Sequence, residues 1–143
     1  MNKTMAEFLS EKSREKIATG RGTDIHRQLQ FLKLEDDNDI AKKIKSDPEL
    51  SIFWGQGSRA EAPIAGTING KFYSKRIDRL AFGPDNTILF LDYKTDTNRA
   101  RREDYEKTMN IYASLLRTAY PNKKVSGFIL WLNNWDLEKV VES

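Results

Sequence analysis

Between residues 60 and 93 the hydrophobic pattern changes from a helical to an alternating period, and no other stretch constrains the fold as tightly. Ala60-Glu-Ala-Pro-Ile-Ala, then Lys71–Phe82, then Thr87–Tyr93 read as three strands in succession. Asn69-Gly70 is a hairpin turn signal between the first two, and Gly83-Pro-Asp-Asn is one between the second and third. Ile88–Leu91 is a continuous apolar run, which suits a strand covered on both faces. The helical period returns from Asp104 to Ala119, where Tyr105, Met109, Tyr112, Leu115, Leu116 and Ala119 share a face and Tyr120-Pro121-Asn122 closes the element. Val125–Leu132 reads as a fourth strand and Trp135–Val141 as a short final element.

Ahead of the strands the pattern is helical. Thr4 and Glu7 have capping-box spacing for a helix over residues 4–17, with Met5, Phe8, Leu9 and Ile17 as its apolar stripe. Gly20 and Gly22 break it. A second helix is expected from about Thr23 to Leu34, with Ile25, Leu29 and Leu32 on its buried face and His26 at the flank of that face. A third, short helix fits between Asp39 and Lys45 and ends at Asp47-Pro48. The resulting order, α-α-β-β-β-α-β, indicates a single α/β or α+β domain over residues 1–143, with a three-strand meander, a crossover helix and a further strand.

Composition narrows the function. Zero cysteines exclude disulfides, thiolate zinc sites and cysteine nucleophiles, and a single histidine excludes multi-histidine metal motifs. No apolar run approaches the roughly 18–20 residues of a membrane helix, and the first residues lack the apolar stretch of a signal peptide. A cytoplasmic domain without a membrane partner is the expectation. The formal charge of +3 permits an anionic partner without demanding one. Its distribution is uneven: residues 35–39 read EDDND, while Lys71, Lys75, Arg76, Arg79, Arg99, Arg101 and Arg102 load the middle of the chain with cations. Gly66–Lys71, GTINGK, has some look of a phosphate-binding loop. It is one residue short, Phe72 stands where Ser or Thr is required, and it lies in a hairpin rather than before a helix.

The chemistry concentrates on the second and third strands. Asp92 and Lys94 lie two apart in Phe90-Leu-Asp92-Tyr-Lys94 and so share a face, and an acid within an apolar strand is costly unless something satisfies it. Asp78, in Arg76-Ile-Asp78-Arg-Leu, is separated from Asp92 by one hairpin, which brings two carboxylates and an ammonium together on adjacent strands. A divalent cation would relieve the repulsion, and hard oxygen ligands favour Mg²⁺ or Mn²⁺. His26 offers a third ligand through a ring nitrogen. Taken alone, Asp92–Lys94 is equally well read as a structural ion pair, Asp78 as a partner of Arg76 or Arg79, and His26 as a helix-surface residue.

These residues resemble the PD-(D/E)xK nuclease superfamily, RecB-like branch. Gly22-Thr-Asp-Ile-His26, Gly57-Ser-Arg-Ala-Glu61-Ala-Pro-Ile-Ala-Gly66, Arg76-Ile-Asp78-Arg-Leu and Asp92-Tyr-Lys94-Thr95 occur in the order that such nucleases show. The stretch FWGQGSRAEAPIAG is most similar to the C-terminal nuclease domain of AddA-type helicase–nucleases, alphaproteobacterial form, and the likeness covers about residues 20–132.

The resemblance implies a restriction-endonuclease-like α-β-β-β-α-β core with extra N-terminal helices. It also implies a Mg²⁺-dependent (Mn²⁺ as the alternative) DNA exonuclease acting on single-stranded ends during double-strand-break repair. His26, Asp78 and Asp92 would hold the metal and Lys94 would complete the catalytic set. Arg76, Arg79, Thr95 and Tyr112 would contact substrate, with Arg99, Arg101 and Arg102 as further phosphate candidates. Tyr112 matches the tyrosine of a QxxxY motif, although Thr108 stands where that motif has glutamine. Glu61 is an auxiliary candidate, through water. The partners so implied are DNA, a helicase motor in the same longer chain and an AddB-like subunit. The alternative is a catalytically weak nuclease-fold module that docks DNA or a partner subunit.

Overall fold

A five-stranded sheet in the order β1-β2-β3-β4-β5 organises the chain in the computed structural model, which describes residues 25–142. Two units divide at residue 31, Met1–Phe31 and Leu32–Ser143. The described part of the first is α1, helical over residues 25–31. The predicted helix over 4–17 and the expected start at Thr23 lie outside the described residues.

The second unit holds α2 (Asp39–Lys45), α3 (Pro48–Ser51), a 3-10 turn (Ile52–Trp54), β1 (Arg59–Ile68), β2 (Lys71–Gly83), β3 (Thr87–Lys94), α4 (Arg102–Ala119), β4 (Lys124–Trp131) and β5 (Asp136–Glu142). It is a mixed α+β architecture. β1, β2 and β3 form an antiparallel meander, β4 runs parallel to β3 after the α4 crossover, and β5 returns antiparallel. Asn69 and Gly70 both have positive φ, at 49° and 80°, the conformation that a two-residue hairpin with this twist requires.

Two departures from the sequence reading, and one added element, have local causes. The second helix does not extend to Leu34, because the acidic run makes its own turn: Asp36 accepts the Lys33 N–H through its side chain and donates its own N–H to the Lys33 carbonyl. α2 spans Asp39–Lys45 and ends before Asp47-Pro48 as expected, but Pro48 then opens a further element. It stands in the first turn of α3, while the Asp47 carboxylate accepts the Glu49 and Leu50 N–H groups. On α4, Ala119 is exposed and Ala113 takes its place in the core beside Met109 and Leu116.

The core between α4 and the sheet centres on Phe90, Ile88, Val125, Ile129, Met109, Ala113 and Leu116. Burying Phe90 completely contributes about 1.5–3 kcal/mol. Gly127 makes this possible, because a Cβ there would fall 2.3 Å from the Phe90 ring. Phe90 in turn meets Tyr112 edge to face at 6.1 Å. On the other side of the sheet, Phe53 packs edge-on against Phe128 and Trp54 stacks on Tyr93. β3 is therefore covered on both faces, and its C-terminal end carries Asp92 and Lys94.

Candidate active site

The β2–β3 ladder explains how two carboxylates come to touch. Its last paired residues are Arg79 and Leu91, and one step further along the same register Asp78 lies opposite Asp92. There the ladder stops. The Asp78 carboxylate replaces a backbone carbonyl by accepting the Tyr93 N–H at 2.9 Å. Burial, then the neighbouring Asp92 carboxyl, push the Asp78 carboxyl up to about 8, Glu61 adds to the rise, and the Tyr93 N–H opposes it.

Lys94 Nζ lies 2.8 Å from Asp92 Oδ2, with both side chains largely buried. The ammonium also sits 4.2 Å from the centre of the Tyr105 ring. The Tyr105 hydroxyl donates to Asp96 at 2.6 Å, and burial together with that bond pushes its phenol up to about 12. Tyr112 is within the field of the pair: burial, then the charges of Asp92 and Asp78, push its phenol up to about 12. Glu61 lies opposite Asp78 by the β1–β2 register but drops out of the pairing, with its φ at 52°. A non-glycine residue in the left-handed region inside a strand is strained, and such strain gathers at functional sites.

The fold therefore brings together Asp78, Asp92, Lys94, Tyr112 and, at the margin, Glu61. His26 lies half-buried on α1. Among the described residues no three His, Cys, Asp or Glu side chains form a metal-ligating group. What the sheet supplies is the carboxylate pair, and its chemistry fits a hard divalent cation: two adjacent oxygen donors, partly buried, that otherwise retain a proton. Asp78 and Asp92 are the residues that would hold it.

Several arginines expected to contact substrate are engaged within the fold. Arg79 is buried, its Nε donates to the Phe53 carbonyl at 2.9 Å, and its guanidinium lies 4.7 Å from the Trp54 ring centre. It holds the 3-10 turn to the sheet. Arg99 pairs with Asp136 and Glu138 and lies over Trp131. Arg102 reaches Glu138 Oε2 at 2.9 Å and also pairs with Glu106. These two guanidiniums fasten the start of α4 to β5. Arg76, Thr95 and Arg101 are exposed.

Sequence reasoning missed Tyr105, Asp96 and Glu138. Tyr105 was visible only as part of the apolar stripe of α4, and no spacing rule links it to Lys94 or Asp96. Among the described residues no helix is long and apolar enough to cross a membrane.

No protein-family model matches the chain, and no curated protein sequence matches it. Among solved structures it is similar to a crystal structure from Eubacterium rectale described as a candidate exonuclease. The two share 12% identity with a TM-score of 0.45. The alignment covers 99% of this chain and 61% of that protein, so the chain spans about three fifths of its length.

Proposed function

We propose that the chain is a Mg²⁺-dependent nuclease domain of the PD-(D/E)xK type that hydrolyses phosphodiester bonds at DNA ends. One observation carries the reading. Asp78 and Asp92 lie opposite each other at the open end of a ladder, with the Lys94 ammonium 2.8 Å from Asp92. Two acids and a lysine at the exit of a buried strand suit phosphoryl hydrolysis better than they suit stability, because the acids repel and only one has a cationic partner at bonding distance.

Asp78 and Asp92 hold the cation in this reading. A divalent ion bound there supplies Lewis-acid polarisation of the phosphate and a water of lowered pKa. Lys94 donates hydrogen bonds from a fixed position, steadied by Asp92 and the Tyr105 ring, towards the attacking water or the charge growing on phosphate. Tyr112 lines the same space and presents a neutral phenol. Glu61 orients water at the margin. The wider role that fits the RecB-like motifs is end processing in double-strand-break repair. A motor in a longer chain and an AddB-like subunit would deliver the strand.

The test is cleavage of end-labelled single-stranded DNA with Mg²⁺ or Mn²⁺, beside EDTA and Lys94→Ala controls. Loss in both controls is expected. A second reading, a docking module with little turnover, is favoured by the internal pairing of Arg79, Arg99 and Arg102, three of the candidate phosphate contacts. Metal binding without cleavage in this assay would select it.

A further inference from the structure

β1 and β2 continue beyond the sheet. β2 pairs with β3 only over Arg79–Gly83, but with β1 as far as the hairpin turn, so residues 62–77 form a two-stranded ribbon with no third strand. One side of it is fastened: Ala62 and Ile64 pack in the α4 core, and a Cβ at Gly66 would meet Leu115. The other side is open. Thr67 pairs with Phe72, Ala65 with Ser74 and Pro63 with Arg76, and all six residues are exposed.

A single exposed aromatic is ordinary on a protein surface. Three further observations make Phe72 something else. It is 67% exposed. Arg76 shares its face and the ribbon carries no acid, while Lys71 and Lys75, paired with Ile68 and Ile64, stand on the opposite face. The strand bearing it runs directly into Asp78, six residues away, about 20 Å at ~3.3 Å per residue. A flat apolar ring with a guanidinium on the same face, on a strand that leads to a carboxylate pair, matches the chemistry of single-stranded nucleic acid. Bases stack on aromatic faces, and the backbone follows positive charge.

We propose that the open face of this ribbon is a track for single-stranded DNA, with Phe72 stacking on a base and Arg76 contacting phosphate on the way to Asp78. This deepens the nuclease reading and rests on it for direction, since the strand is led towards the site.

Binding without cleavage separates the two. Fluorescence anisotropy of a labelled oligothymidylate is followed in EDTA, at several salt concentrations, with the full 143-residue chain. Phe72→Ala is expected to weaken binding about tenfold, and Phe72→Trp to restore it. Arg76→Ala is expected to weaken it and to lower the slope of log affinity against log salt by about 0.7. Thermal melts of the Phe72 variants should match the parent, because the side chain is exposed.

Unchanged affinity in Phe72→Ala, or no binding by the parent at low salt, overturns the ribbon track. If cleavage still depends on Lys94 in that case, the nuclease reading stands without it. Phe72-dependent binding with no cleavage under any divalent metal supports the track and overturns the nuclease reading instead.

Discussion

Two groups of carboxylates sit in this sheet, and their surroundings differ in kind. On β5, Glu138 accepts bonds from Trp131 and Arg102 and lies beside Arg99. Burial alone would raise its carboxyl, but those bonds and the two guanidiniums hold it below the usual carboxylate range. At the end of the β2–β3 ladder, the Lys94 ammonium pairs with Asp92 alone, and Asp78 is pushed up to about 8. The first group is compensated and serves stability. The second is left short of positive charge, which is what the proposed cation site requires.

Removing each group should therefore have opposite consequences. The largest contrast is in cleavage: Lys94→Ala or Asp92→Asn should lower the rate by at least about 10³-fold, while Glu138→Gln leaves it within a few-fold of the parent. Single-turnover rates on end-labelled DNA would measure this.

Stability should reverse the order. Glu138→Gln is expected to cost about 1–3 kcal/mol, because two guanidiniums lose a charged partner. Asp78→Asn should cost little in metal-free buffer and melt no lower than the parent at pH 8. The amide can still accept the Tyr93 N–H and no longer resists ionisation. Equal destabilisation of both variants in urea unfolding would erase the distinction.

The smallest effect is in pH dependence, and its sign differs between the groups. Asp78 rises from 3.8 in the unfolded chain to about 8 in the fold, so its contribution to stability is complete below about pH 4 and is lost as pH climbs towards 8. Glu138 is lowered, so its contribution is present at neutral pH and is lost on acidification through its folded value. Melts in EDTA should show the alkaline loss in the parent and its absence in Asp78→Asn.

The difference between these groups also marks what the sequence could reveal. Strand order, both hairpin turns and the closeness of Asp78 to Asp92 follow from local spacing, since one hairpin and a two-residue alternation place them. The restart at Pro48 was legible in principle through Asp47, but its importance depends on Phe53 and Trp54 packing on the sheet. The fate of the arginines was not legible. Arg79 and Arg76 look alike in the sequence, yet one is buried on a carbonyl and the other is exposed, because β2 is paired on both sides at Arg79 and on one side at Arg76. Arg99 and Arg102 meet β5 residues more than 30 positions away, a pairing that only the crossover creates.

Manganese binding, followed by electron paramagnetic resonance on the parent, Asp78→Asn and Glu138→Gln, tests most directly whether the uncompensated acids form the working site. Binding in the parent and in Glu138→Gln, with loss in Asp78→Asn, is the predicted result. Binding retained in Asp78→Asn, or lost in Glu138→Gln with the fold intact, would contradict it.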